Sequence, residues 1–163
     1  MEYVGLVYSD EKYIGVTFPQ APGCSTFGET YEEMLAMAQE ALEGWLESWL
    51  VTGDVPPEPK PVSVRRGQRA IVVQVPAELA AAIAIRRARN AAGLTQARLA
   101  KLAGMTQPNI ARMESGRANP SIANVAKVFH AMGSVMEISS RKRRETPHGP
   151  HAMAAGARAH ARR

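Results

Sequence analysis

Thr106, Gln107, Asn109 and Arg112 fall within one short stretch of chain, and their side chains offer the chemistry of base reading. A glutamine or asparagine amide can pair bidentately with adenine, and an arginine guanidinium can read guanine or hold a phosphate. Gln96, Arg98, Lys101 and Arg117 flank them. These are donors of the kind that grip a phosphate backbone, which fixes register and orientation without reading sequence. Such residues read DNA when a short helix carries its N-terminal half into the major groove.

The surrounding pattern supplies that helix. Thr95 can cap a helix from Gln96 to Ala103, Gly104 sits where the chain must turn sharply, and Thr106 can cap a second helix from Gln107 to about Glu114. Leu99, Ala100, Met105, Ile110 and Met113 are expected to face inward, with Ala100 small where the two axes approach. Ser115–Pro120 (SGRANP) is a further turn. Ser121 then caps a helix whose inward face is expected to be Ile122, Val125, Val128, Phe129 and Met132. Upstream, Pro76 precedes a helix that runs to about Ala92 and stops at Gly93, the natural first member of this helical unit. An ordinary helical bundle would use the same Leu, Ala and Ile, but the local positive charge counts against it.

The first sixty residues have the opposite character. Residues 1–60 hold two Lys and no Arg against eleven Asp and Glu, a net of −9, whereas residues 61–163 hold eighteen Lys and Arg against four Glu, a net of +14. Such asymmetry points to two different partners. Residues 3–8 (YVGLVY) and 13–18 (YIGVTF) read as strands around a Ser9–Lys12 turn, and 24–28 as a short third strand. Thr30, with Glu33 three residues on, opens a helix that ends near Val51. Its apolar stripe runs from Tyr31 and Met34 through Leu42 and Trp45 to Trp49 and Leu50, with Glu32, Glu40, Glu43 and Glu47 mostly off it. Gly53–Pro61 holds four prolines in nine residues and reads as a semi-rigid connector. Residues 70–75 (AIVVQV) are one more strand. It is expected to close the first sheet, because three short strands and one helix bury little on their own.

These elements divide the chain into a β-β-β-α-β domain over residues 1–76, with connector 53–61, and an all-α helix-turn-helix domain over 77–140. A tail over 141–163, with six net positive charges, is expected to be disordered. Arg141–Arg144 in that tail could add a non-specific hold on DNA phosphates. The single cysteine, Cys24, excludes an intrachain disulfide and suits a reducing compartment. No secretory leader pattern and no apolar run long enough to span a bilayer is present, so a cytoplasmic location is expected.

Enzymatic chemistry finds little support. A metal-dependent nuclease needs several carboxylates converging on two metals, and the strands offer only Glu2, Asp10 and Glu11 at their margins. Cys24 has no His or Asp partner at useful spacing, and His148, His151 and His160 lack an accompanying Cys or ordered carboxylate. No catalytic residue, metal site or cofactor is expected. Asp10, Glu32, Glu40, Glu43 and Glu47 are better suited to complement a basic protein surface, or simply to keep the domain soluble.

Two resemblances sharpen this reading. GLTQARLA (Gly93–Ala100), Gly104, Ile110, ESG (Glu114–Gly116) and NPS (Asn119–Ser121) resemble the lambda-repressor-like helix-turn-helix in the form found in Xre-type regulators, over about residues 83–133. That resemblance implies a dimer, or a tetramer, on a short palindrome in double-stranded operator DNA, with recognition helices roughly 34 Å apart. Pro108 is less expected in a recognition helix, although in the first turn its missing N–H costs little. Phe18–Pro19, Pro22–Cys24, the T-x-G-x-T of Thr26–Thr30 and the Ala-rich helix with late Trp and Leu resemble the HicB-type antitoxin domain, over about residues 3–58. This implies a partly degraded ribonuclease H-like fold, a HicA-type toxin that cuts messenger RNA as partner, and repression of the antitoxin's own operon. The fold class expected is therefore α+β, and the function that of a non-enzymatic antitoxin and autorepressor. The alternatives are a stand-alone Xre-type transcription regulator whose first domain senses a ligand or protein, and a residual nuclease.

Overall fold

Alternation along Glu2–Ser9 (β1) buries Tyr3 and Gly5 on one face and leaves Glu2, Val4 and Leu6 on the other, more open one. The computed structural model describes residues 1–137. The tail 141–163, with Arg141–Arg144, His148, His151 and His160, lies outside the described residues. β1 is central. It pairs antiparallel with Ile14–Thr17 (β2) from Leu6↔Thr17 to Ser9↔Ile14, and with Arg69–Gln74 (β4) from Glu2↔Gln74 to Val7↔Arg69. Ser25–Gly28 (β3) pairs with β2, which gives the order β3-β2-β1-β4. The strand after the connector thus joins the sheet beside the first strand, as the burial argument expects.

Tyr31–Thr52 (α1) covers one face of the sheet. Met34, Ala38, Leu42, Leu46 and Leu50 recur every fourth residue, and all are buried against Tyr3, Val16, Phe18, Ile71 and Val73. Thr30 Oγ1 accepts the Glu33 N–H at 3.1 Å, while the Glu33 carboxylate accepts the Glu29 N–H at 2.8 Å. The reciprocal arm of the capping box therefore lands one residue ahead of the cap. Trp45 and Trp49 stack edge to face on the half-buried margin of the helix, and the Trp45 indole N–H donates to the Pro22 carbonyl.

The second core gathers Ile85, Leu99, Ala100, Ala103, Ile110, Met113, Val125 and Val128. These come from Ala77–Ala91 (α2), Gln96–Ala103 (α3), Gln107–Met113 (α4) and Ile122–Ala131 (α5). One inward position is corrected: Ile122 is 65% exposed. It is the first residue of α5, and burial starts one turn later at Val125. α2 is not the property of the helical unit alone. Leu79, Ala82 and Ile83 lie in the core of the sheet domain, and Ile85 lies in the core of the helical one. Among the described residues no helix is long and apolar enough to cross a membrane.

Candidate nucleic-acid interface

α3 starts firmly, because Thr95 Oγ1 accepts the Arg98 N–H at 3.1 Å. It ends at Gly104, whose φ of 58° lies in the left-handed region that lets the chain double back into α4. The start of α4 is different. Thr106 occupies the N-cap position, yet its hydroxyl makes no capping bond. Pro108 offers no N–H in the first turn, and the Asn109 N–H is taken by the Thr106 carbonyl at 3.1 Å. The expected side-chain cap is absent and the hydroxyl remains free.

Ile110 and Met113 are buried beneath α4, which leaves Thr106, Gln107, Asn109 and Arg112 exposed on its outer side. Three of them, Thr106, Asn109 and Arg112, line a cleft of about 500 Å³ together with Asn124 and Lys127 of α5. Sequence reasoning missed those last two. Their only signal is an i, i+3 polar pair on α5, which any solvated helix displays. Gln107 lies apart from the cleft, where its Nε2 donates to Gln96 Oε1 at 2.8 Å. Gln96 Nε2 in turn donates to Glu114 Oε2 at 3.0 Å. The Gln107 carbonyl oxygen and second amide hydrogen stay available to a base. Of the expected phosphate contacts, Arg98, Lys101 and Arg117 are exposed, whereas Gln96 is half-buried and engaged in holding Gln107.

Glu114 anchors this arrangement from below. It is fully buried, and Arg89 meets its two carboxylate oxygens at 2.6 and 3.0 Å. Such forked pairing is what makes a buried carboxylate tolerable.

The acidic residues do not form one patch. Glu32, Glu40, Glu43 and Glu47 share one face of α1 by their spacing, and Glu43 accepts a bond from Gln39. Asp10 instead shapes the turn between β1 and β2. Its Oδ1 accepts the Tyr13 N–H at 2.8 Å and the Lys12 N–H at 2.9 Å, and these bonds hold its carboxyl below the ordinary range. Glu2 lies in β1 at the end opposite Asp10. Among the described residues no group of three or more His, Cys, Asp or Glu could hold a metal ion. Cys24 is buried, and desolvation raises its thiol above the ordinary value.

A one-helix antiparallel sheet joined to a helix-turn-helix with exposed amides and a guanidinium on its second helix defines an α+β protein with a DNA-binding domain. Comparison with known proteins makes this particular. Residues 3–71 match the family model described as HicB_like antitoxin of bacterial toxin-antitoxin system, and residues 85–135 match the family model described as helix-turn-helix. The chain thus carries a HicB-like antitoxin domain followed by a DNA-binding helix-turn-helix domain. Among solved structures, the Burkholderia pseudomallei antitoxin HicB is similar at 26% identity with a TM-score of 0.42, over 48% of this chain and 66% of that one. Its separately solved N-terminal domain is 27% identical with a TM-score of 0.41, over 47% of this chain and 99% of that one. A chain of the HicA3 and HicB3 toxin-antitoxin complex is 22% identical with a TM-score of 0.40, again over 47% and 99%. No curated protein matches the chain.

Proposed function

We propose that the chain is an antitoxin that binds and inhibits a HicA-type, messenger-RNA-cleaving toxin through residues 1–76, and that it represses its own operon by binding promoter DNA through residues 77–140. The observation that carries this reading is the joining, in one chain, of a HicB-like antitoxin match to a helix-turn-helix match whose reader residues stand exposed. The net charge of −9 over residues 1–60 suits a basic, RNA-binding partner surface. Opposite charge speeds such encounters, and the docked domain would then deny RNA access to the toxin. In this reading the domain acts by occlusion, without chemistry of its own, in the cytoplasm. On the DNA side, Thr106, Gln107, Asn109 and Arg112 read bases while Arg98, Lys101 and Arg117 hold phosphates. A dimer supplies two such helices to a palindromic operator.

The test is co-purification of the tagged protein with the product of the adjacent small open reading frame. Recovery of a small basic ribonuclease, silent in the complex and active when released, supports the reading. Failure to recover any partner sinks it. One observation favours a second reading, in which the first domain senses a small molecule. A cleft of about 450 Å³, lined by Leu6, Pro19, Gln20, Pro57, Lys60 and Val62 among others, lies where the connector meets the sheet domain. Its size falls within the range of small-molecule sites. DNA binding that changes with a metabolite, in the absence of any protein partner, would establish that reading instead.

A further inference from the structure

The last turn of α1 and the end of α4 meet through one buried arginine. Arg86 of α2 is only 6% exposed. Its Nη1 donates to the Leu50 carbonyl at 2.8 Å and to the Asp54 carbonyl at 3.1 Å, and its Nη2 donates to the Glu114 carbonyl at 3.0 Å. Its Nε also lies 3.5 Å from the Glu114 carboxylate. One planar guanidinium therefore holds the end of α1, the start of the connector and the residue that closes α4. A second contact joins the same elements. Gly116 has a φ of 76°, and a Cβ built there would stand 2.8 Å from Leu79 Cδ1 and 3.0 Å from Leu50 Cδ1. The backbone just beyond α4 is seated directly on α1 and α2.

Arg89 already pairs both oxygens of Glu114, so the helix-turn-helix does not need Arg86 to neutralise that carboxylate. What Arg86 adds is the link to α1. From Glu114 the path continues by hydrogen bonds to Gln96 and then to Gln107, on the outer face of α4. We propose that Arg86 is a positioning residue through which the last turn of α1 sets the pose of the recognition helix, so that the antitoxin domain controls DNA affinity. The proposal rests on the reading of α4 as the DNA-binding helix. It makes the two sites reciprocal: whatever moves the Leu50 and Asp54 carbonyls changes DNA affinity, and bound DNA changes affinity at α1 by the same factor.

The experiment uses the full chain and fluorescence anisotropy with a labelled duplex carrying the DNA immediately upstream of the coding sequence. Arg86→Met keeps the stem and removes the fork. Arg86→Lys keeps a point charge that cannot serve all three carbonyls. With the helical ellipticity intact at the assay temperature, Arg86→Met is expected to weaken binding by about tenfold, and Arg86→Lys by less. The slope of affinity against salt, on logarithmic axes, stays that of the unsubstituted chain, because no phosphate contact is lost. Where Arg86→Met does not fold, Arg86→Lys decides the same question, since it keeps the buried charge and stem and gives up the fork that joins the Leu50, Asp54 and Glu114 carbonyls. Undiminished affinity in the folded variant overturns the proposal, as does a fall in the salt slope of about 0.9, the mark of one direct phosphate contact. If the unsubstituted chain itself binds no duplex, the DNA reading fails and takes the proposal with it. That result is distinguishable, because it does not depend on residue 86.

Discussion

Gln107 stands exposed on α4 with its side chain already held, one amide hydrogen bonded to Gln96 and the rest of the group free. A pre-oriented amide loses little freedom on contact, which is the condition for a strong bidentate pair with adenine. Gln107→Ala is expected to relax base preference and to cost about 1–3 kcal/mol of binding, read by anisotropy across duplexes changed one base pair at a time. Equal affinity and equal preference in the variant would remove Gln107 from the reader's role. Asp10 allows a test without a ligand. The Tyr13 N–H, and after it the Lys12 N–H, lower its folded-state value below the ordinary 3.8. A depressed carboxylate contributes stability that is present above its unfolded value and is lost as pH falls through the folded one. Asp10→Ala should therefore narrow the gap in stability between neutral and strongly acidic solution. An NMR titration of the Asp10 carboxyl with a midpoint at or above 3.8 would contradict the bonding described. At this scale the outward face of α4 was legible, because Thr106, Gln107, Asn109 and Arg112 are polar and interleave with the apolar Ile110 and Met113 that turn inward. The burial of Glu114 and Arg86 was not, since a charge in a sequence does not say whether it will be buried.

The two threonines that open α3 and α4 look alike in the chain, each followed by a glutamine, but they do different work. Thr95 satisfies the Arg98 N–H, whereas the hydroxyl of Thr106 makes no capping bond, because Pro108 brings no N–H and the Asn109 N–H goes to the Thr106 carbonyl. Thr95→Ala is expected to destabilise the chain by about 1 kcal/mol. Thr106→Ala should leave stability within about 0.5 kcal/mol and weaken DNA binding instead. Urea unfolding and duplex binding of the two variants separate these outcomes, and equal loss of stability in both would show that Thr106 caps after all. The elements themselves were largely legible from pattern. The alternation in Arg69–Gln74 buries Ile71 and Val73 against α1, and a slip of one residue would turn Val72 inward in their place. Membership of the first sheet followed from the need for buried area. The exposed Ile122 was not legible, because an apolar residue three before Val125 fits the same helical stripe whether or not a neighbouring helix reaches it. Nor was the sharing of α2, because Ile85 stands about 160° around the helix from Ile83, and an apolar residue off the main stripe does not reveal that a second core lies there to take it.

At the scale of the molecule, that sharing argues for a single cooperative unit built from two unlike halves. Leu79, Ala82 and Ile83 complete the core under the sheet, and two residues on, from the other side of the helix, Ile85 enters the core of the helix-turn-helix. Loss of either core strips α2 of part of its packing, so each core stabilises the other through the shared helix. Arg86 and the seat of Gly116 on Leu50 and Leu79 close the joint from the side. The opposite charges of the two halves, by contrast, act over longer range and are screened by salt, so they cannot supply the coupling. The chain lends itself to a direct test, because both tryptophans, Trp45 and Trp49, lie on α1, while most of the remaining helix lies in α2–α5. Tryptophan emission therefore reports the antitoxin domain, and far-ultraviolet ellipticity is weighted by the rest. The two probes are expected to give coincident urea transitions, as a two-state unit requires. Ile83→Ala, at a side chain 1% exposed, should shift both midpoints together, with a loss of about 2–5 kcal/mol for a buried large-to-small change. If the ellipticity instead unfolds at its own midpoint while the emission falls to lower urea alone, α2 does not join the halves, and control of DNA affinity through it would have no physical carrier.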